Sequence, residues 1–414
     1  MSLVTFVAVM MCLSAPLQPP AEVPKAEATK AESLKYFEIP LKGEVGKEIT
    51  APGVRDAIKA AHLKKADCIV FVIDTPGGRV MDADAIASVM DHERLGMKYY
   101  AVIVRAISAA VWPLSRMDHI YFAPGAAAGA AVAFSLSAKT GAAEVDAKFN
   151  AAMAAQVSAA AESHGQPGCV YRAMMIQEAT LYRWRGADGK FVLGETAPAG
   201  AKDVFELDSN KTVLAWTAQQ AAESGFGTMM TSPEVSSLGK LMNASEWVSV
   251  GDGAREMLRS QKEIEREDKA AETAKDNTKA AREKIATLAD HVASAVVEAR
   301  KADPKEMKVY VRDTGAMTPD SQLRWRQQSD LALDKWNAVL AALDSLQQAE
   351  KKVNSTLDEY NKTEAKAAST RLYKEKWEAV KMPPVDHGLD EAAVKQEATE
   401  TMTRIRTERV KSRL

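Results

Sequence analysis

Cysteine is nearly absent: Cys12, Cys68 and Cys169 are the three in 414 residues, too few for a disulfide framework. Cys68 lies inside the apolar run CIVFVI, where a thiol behaves as a small hydrophobe. There is no CxxC pair and the six histidines are scattered, so the sequence offers no local metal cluster and implies neither a metal nor an organic cofactor. An excess of one charge is missing as well. The 54 basic and 56 acidic side chains leave a formal charge of -2, which removes the general electrostatic case for a nucleic-acid partner. Beyond the N-terminal segment, no apolar run reaches the roughly 18 residues that a membrane span requires. What remains is ordinary for a folded soluble protein. Hydrophobic residues at 46% and charged residues at 27% exclude wholesale disorder, collagen-like structure and a polytopic membrane protein. The length predicts two or three domains.

Residues 3–14, LVTFVAVMMCLS, are a short apolar stretch followed by the polar, proline-containing PPAEVPKAEATK. They resemble the hydrophobic part of a secretory signal without its positive leading segment. Residues 1–25 are therefore read as a signal or disordered segment and the protein is placed in the periplasm or cell envelope. A frayed terminus on a cytoplasmic protein is the alternative. Cys12 follows Val9-Met10-Met11, a poor approach to a lipidated cysteine.

From residue 36 the pattern alternates between strand and helix. Tyr36–Pro40 reads as a strand, and 51–66 have helical spacing through Val54, Ile58, Ala61 and Leu63. CIVFVI at 68–73 is a continuous apolar run of strand length, as expected for burial on both faces of a parallel sheet. Asp74-Thr75-Pro76-Gly77-Gly78 follows, then a helical stretch at 82–96. Exposed backbone amides at the end of a buried strand are where open α/β sheets hold ligands. The unit repeats: YYAVIVRAI at 99–107 is a strand, Ser108-Ala109-Ala110 a junction, and 110–117 a helix of small residues. A third strand, HIYFAP, leads to the glycine-rich PGAAAGAA at 124–131. This order predicts a layered α/β domain.

A serine directly after a buried strand, among small neighbours, suits a nucleophile, but the same placement suits an ordinary helix N-cap. His92 and His119 lie among charges and His164 in the turn SHGQPG. A Ser-His-Asp triad assembled from distant positions stays open. A serine hydroxyl needs an adjacent base. A lysine supplies one only when desolvation keeps it neutral, because its reference pKa is about 10.4. Lys148, flanked by Ala147, Phe149, Ala151, Ala152 and Met153, has such apolar neighbours, and Lys139 in SLSAKTG is a second candidate.

The order FEIPLKGEV, VFVIDTPGGRVMDADAI, VRAISAAVWPLSRMDHIYFAPGAAAGAA and VDAKFNAAMAAQVSAAAESHGQP resembles the ClpP-like serine proteases, within them the membrane-associated NfeD proteases and signal peptide peptidase A. The resemblance covers roughly residues 36–250. It implies a spiral β/α fold of the ClpP/crotonase superfamily and peptide-bond hydrolysis by a serine-lysine dyad. The matching positions are Ser108 and Lys148, 40 residues apart, with Ala123-Pro124-Gly125 between them and DTPGG intact at 74–78. Backbone amides of Gly77 and Ala109 would be the oxyanion donors, a role that stabilises the charge of a tetrahedral intermediate. The resemblance also implies a peptide or protein substrate, a homo-oligomer and a membrane-associated protein partner. There are departures: Ala110 stands where the family has glycine, and Trp112 and Pro113 enter the helix behind the serine. Two rivals follow, a catalytically silent scaffold of the same fold and an acyl-thioester enzyme like the crotonase relatives. Met174, Met175 and Tyr182 would line a substrate path or simply belong to the core, and RWRGADGKFVL reads as a hairpin.

After residue 255 the composition shifts to alternating charge and alanine, which predicts an exposed or paired helix. Its apolar positions become regular near Ile285, Leu288, Val292 and Val296, and Asp303-Pro304 stops it. After a loop with Gly315 and Pro319, residues 320–378 read as a second long helix with a stripe of Leu323, Trp336, Leu340, Leu343, Leu346, Val353, Leu357 and Tyr360. The pair predicts a helical hairpin or coiled-coil arm. Met382-Pro383-Pro384 breaks the pattern before a polar helix in 388–414. The division expected is 30–250 for the protease-like domain and 255–414 for the helical one.

Overall fold

The structure, a computed structural model, describes residues 33–132, 143–306, 318–373 and 377–411. The signal-like segment with Cys12, the second candidate base Lys139 and the loop at Gly315 lie outside the described residues. The first elements are β1 (Ser33–Lys42), α1 (Ala51–Leu63), β2 (Cys68–Thr75), α2 (Val80–Glu93), β3 (Lys98–Ile107), α3 (Val111–Leu114) and β4 (His119–Gly129). There follow α4 (Ala143–Ser163), α5 (Gly168–Met175), β5 (Leu181–Arg185), β6 (Phe191–Gly194), β7 (Lys202–Asp208), β8 (Ala215–Thr217), α6 (Ala218–Ser224), β9 (Thr228–Met229), α7 (Leu238–Leu241) and β10 (Glu246–Asp252). The chain then becomes helical: α8 (Ala254–Lys301), α9 (Pro319–Thr370) and α10 (Glu391–Lys411).

The main sheet runs β10-β1-β2-β3-β4-β8, with β9 also on β4, and every pairing except β4 with β8 is parallel. The continuous apolar run of β2 is explained by its two covered faces. Ile69, Phe71 and Ile73 join Ile39, Ile103 and Ile58 in one core. Cys68 and Val70 join Tyr36, Val102, Tyr121 and Leu238 in another. The hairpin predicted at RWRGADGKFVL is present as β5 and β6, and β7 completes a separate antiparallel sheet on β5. Met174 and Met175 are buried and belong to the core.

Two local expectations change. β4 does not stop at HIYFAP but continues through most of PGAAAGAA to Gly129: Ala127, Ala128 and Gly129 pair with Arg105, Ala106 and Ile107. The register shifts between Ile103 and Arg105, so Ala123–Ala126 form the bulge, a place where proline's missing N–H removes no ladder bond. The helix expected over 110–117 is only the four residues of α3, preceded by a single 3-10 turn, Ser108–Ala110. Pro113 thus sits in a first turn, where the lost N–H has no partner to lose.

α8 and α9 form an antiparallel hairpin. Thr370 Oγ1 donates to Glu267 Oε1 at 3.1 Å near one end, and Gln328 Nε2 donates to the Ala302 carbonyl at 3.0 Å near the other. Buried positions on α8 alternate at three and four residues from its start: Met257, Ser260, Ile264, Glu267, Ala271, Ala274 and Thr278, then Ile285, Ala289, Val292, Val296 and Ala299. That spacing keeps one continuous seam: Met257 and Ser260 meet the sheet domain, and from Glu267 onward the seam faces α9. The seam therefore begins well before Ile285, through residues too small or polar to mark it in the sequence. Leu323 leaves the expected stripe and is exposed, while Trp325 is buried in its place.

The hairpin is tied to the α/β sheet domain by polar contacts. Thr50 Oγ1, the N-cap of α1, lies 2.7 Å from Ser260 Oγ. Arg371, directly after α9, donates to Gly46 O at 2.7 Å, contacts Asp82 at 3.3 Å and grips Asp268 at 2.7 and 2.8 Å. Tyr373 Oη reaches both oxygens of Asp82 at 3.1 Å. Arg371 and Asp82 are 4% and 3% exposed, so each depends on the other for its missing water. Replacing Arg371 by Met is expected to lower the unfolding free energy in urea titrations by about 3 kcal/mol. Arg259→Ala, which removes the solvent-exposed pair with Asp56, is expected to cost less than about 1 kcal/mol.

Candidate active site

β2 and β3 are parallel and paired from Cys68↔Lys98 to Thr75↔Ala106, with a one-residue shift between Ile73 and Asp74 that leaves Val104 as the extra residue, and their C-terminal ends emerge together. Pro76-Gly77-Gly78 and Ile107-Ser108 are consequently neighbours. A β-carbon at Gly77 would stand 2.6 Å from Ser108 Cβ and 2.9 Å from the Ile107 carbonyl oxygen. One at Gly78 would stand 2.1 Å from the Val45 carbonyl oxygen. Val45 fixes this turn from the other side: its N–H donates to Gly77 O at 2.8 Å, and its carbonyl accepts from Arg79 N at 3.2 Å. Beside the turn, Arg105 pairs with Asp74 at 3.1 Å. The second half of β4 flanks the same strand end, and the bulge at Ala123–Ala126 is what brings it there.

Ser108 is half-buried and has φ of +56°. An N-cap residue takes extended backbone angles and uses its side chain on the helix. Here the extended cap is Ile107, at φ -107° and ψ 149°, and Ser108 Oγ makes no hydrogen bond among the described residues. The N-cap alternative is therefore not what the local geometry favours. A left-handed angle at a residue bearing a side chain costs about 1–2 kcal/mol, and such angles gather at functional sites. A sharp strand-to-helix turn of this kind lifts a serine hydroxyl out of its surroundings.

Ala109 follows in the 3-10 turn and is buried, as is Ala110. The Ala109 N–H belongs to a first turn, whose amides have no partner within the helix. The Gly77 N–H points elsewhere: it donates to Thr75 Oγ1 at 3.0 Å. Thr75 is thus a part of the site that the motif contains but that residue-type reasoning did not single out. Val45 is another, and nothing in the sequence around it marked its role.

Lys148 is not joined to this group. It lies near the start of α4, is exposed, and has exposed neighbours Ala147 and Phe149. Among the described residues no hydrogen bond links it to Ser108. The apolar shielding expected from its sequence neighbours is not present, because residues adjacent in a helix do not share a face. The α4 face that is buried carries Ala154, Val157 and Ala161 instead.

The histidines lie away from Ser108. His119 starts β4 opposite Tyr100, eight residues before Ser108 along β3, which is roughly 26 Å at about 3.3 Å per residue. His164 is 3.9 Å from Asp91 near that far end, and burial lowers its pKa. His92 is exposed near the end of α2. No triad forms around Ser108 from these three. The described thiols are also inert: burial pushes Cys68 up to about 12 and Cys169 up to about 11, and thiolates are the reactive form.

Residues 35–199 match the family model described as NfeD1b, N-terminal domain. Over 105 residues the chain is 36% identical to a curated protein of Bacillus subtilis (strain 168) named membrane protein NfeD1b, covering 25% of this chain and 23% of that protein. The chain thus spans about a quarter of the length of the curated relative it matches. Similar solved structures include 1510-N, described as a membrane-bound stomatin-specific protease. A serine-to-alanine mutant is 16% identical, with 51% of this chain and 84% of that one covered and a TM-score of 0.36. A lysine-to-alanine mutant in complex with a substrate peptide is 17% identical, with coverages of 51% and 80% and a TM-score of 0.37. A third, described as specific for a stomatin homolog from Pyrococcus horikoshii, is 15% identical, with coverages of 50% and 79% and a TM-score of 0.32.

Two outcomes test the local geometry. Gly78→Ala is expected to destabilise the protein by about 1–3 kcal/mol in urea titrations, since the methyl meets the Val45 carbonyl. Asp208, buried with an unpartnered Oδ2, has its pKa raised to about 6 by burial. Its folded value lies above the unfolded one of about 3.9, so its contribution is fully present below pH 4 and is lost as pH rises to about 6. Asp208→Asn is expected to remove that fall from the pH dependence of the melting temperature. Over the stretch that carries the DTPGG motif and the strand-end serine, the chain is similar to the NfeD1b N-terminal domain.

Proposed function

We propose that this protein is a serine endopeptidase in which Ser108 attacks the peptide carbonyl. The observation that carries the reading is the left-handed Ser108 at the end of β3, packed against Gly77. Lys148 takes the hydroxyl proton and returns it to the leaving amine, and water then hydrolyses the acyl-enzyme. The Ala109 and Gly77 amides hold the oxyanion. For this, Thr75 Oγ1 must release the Gly77 N–H, and Lys148 must move from solvent to the serine, where a bound peptide covers and desolvates it. The substrate class is a peptide laid across the open end of β2 and β3. Residues 30–250 form the protease-like unit and 255–414 the helical one. The name of the curated relative supports association with a membrane or the cell envelope, through a protein partner. Among the described residues no helix is long and apolar enough to cross a membrane.

A silent scaffold is the second reading, favoured by the exposure of Lys148 and the engagement of Gly77 N–H with Thr75. Turnover of a peptide library by the full chain separates the two. The peptidase reading expects Ser108→Ala and Lys148→Ala each to lower kcat by about a thousandfold or more with the melting temperature unchanged. Turnover that survives in Ser108→Ala rules out Ser108 as the nucleophile, and no turnover by the folded wild type leaves the scaffold.

A further inference from the structure

After α9 the chain reverses and returns along the hairpin, and this return brings together three side chains that are far apart in sequence. His387 Nε2 lies 3.5 Å from Glu350 Oε1 on α9 and 3.7 Å from Glu391 Oε1 at the start of α10. One ligand atom from each of the three lies within 4.8 Å of the others. The His387 side chain is 10% exposed, yet its Nε2 makes no hydrogen bond among the described residues. Both separations exceed the usual 2.7–3.2 Å of a nitrogen–oxygen hydrogen bond. They are close to the edge of a coordination tetrahedron, which is about 3.3–3.6 Å for bonds of about 2.0–2.2 Å. Among the described residues no lysine or arginine pairs with either carboxylate. Two acidic groups therefore converge on one imidazole with no fixed cation between them.

We propose that His387, Glu350 and Glu391 bind a first-row divalent transition cation, Zn²⁺ fitting the donor set best. One imidazole and two carboxylates suit Zn²⁺ better than Mg²⁺ or Ca²⁺, which take all-oxygen sites. Three protein ligands leave a fourth position for water, and Glu350, 39% exposed, stands at the solvent side. Gln347 Nε2 donates to Glu391 Oε2 at 3.0 Å, an outer contact that leaves Oε1 aimed at His387. Leu389 N–H donates to His387 Nδ1 at 3.3 Å, which puts the ring proton of the metal-free form on Nε2. Loading moves that proton to Nδ1 and opens this long contact. The ion would join α9, the returning segment and the first turn of α10, holding α10 against the hairpin. This role is independent of peptide hydrolysis at Ser108.

The test uses the full chain, stripped with a chelator and titrated calorimetrically with ZnCl₂, with MgCl₂ as control. Expected are one Zn²⁺ bound per chain, a higher melting temperature on loading and no Mg²⁺ uptake at the same concentration. Histidine-ring nitrogen NMR is expected to report one ring passing from the Nε2–H to the Nδ1–H form. Glu350→Gln and Glu391→Gln keep the side-chain shape and are expected to weaken binding by more than about tenfold, and Gln347→Ala by about tenfold. His387→Ala is expected to abolish it. Absence of stoichiometric Zn²⁺ uptake by folded wild type, or uptake unchanged in the two Gln variants, overturns the site and leaves a histidine paired electrostatically with two carboxylates.

Discussion

The parallel pairing of β2 with β3 is the constraint on which the rest of the site depends. Their register makes both strands end at one level, and Gly77 can approach Ser108 only because it carries no side chain. Upstream of the shift between Ile73 and Asp74, a one-residue slip would turn the side chains from Cys68 to Ile73 to the other face of the sheet. The pairing is held by burial on both faces, Ile69, Phe71 and Ile73 on one and Cys68 and Val70 on the other. The strain at Ser108 persists because a packed core surrounds it, with Ala109, Ala110, Val111 and Trp112 all buried behind.

The helical hairpin is not a loose appendage. Its base carries a buried arginine whose partners include Asp82 in the first turn of α2 and the carbonyl of Gly46, the residue after Val45, which fixes the Gly77-Gly78 turn. Asp82 sits at the positive end of α2, where a carboxylate is favoured, and it is shared among Arg79, Arg371 and Tyr373. The chain end of α9 and the turn after β2 are therefore joined by one desolvated ion-pair network. Separating them would expose or strand buried charge on both sides.

Much of this was legible in the sequence, for identifiable reasons. The run CIVFVI was best explained as a strand covered on both faces, and the serine and glycines were marked by following such strands. Pro304 marked the end of α8, whereas Pro319, read as part of the loop, is the first residue of α9, and that helix stops at Thr370 and not at 378. What was hidden depends on three-dimensional return. The early seam of α8 is built from Ser260, Glu267, Ala271, Ala274 and Thr278, residues that read as a solvated face. Lys148 looked shielded because its neighbours in sequence are apolar, but helical neighbours point in different directions. The strand read as HIYFAP is longer than its apolar run, because the small residues of PGAAAGAA let β4 continue past its bulge beside the serine. Glu350 and His387 are 37 residues apart, a spacing that no local metal motif contains.

The central claim is that the strained serine at the end of β3 is a working nucleophile. The most direct measurement is reaction of the folded full-length chain with a fluorophosphonate, followed by intact mass and peptide mapping. One adduct per chain, located on Ser108 and absent after unfolding in denaturant, is expected of such a nucleophile. No adduct on folded protein across pH 6–10, or an equal adduct in Ser108→Ala, would contradict it.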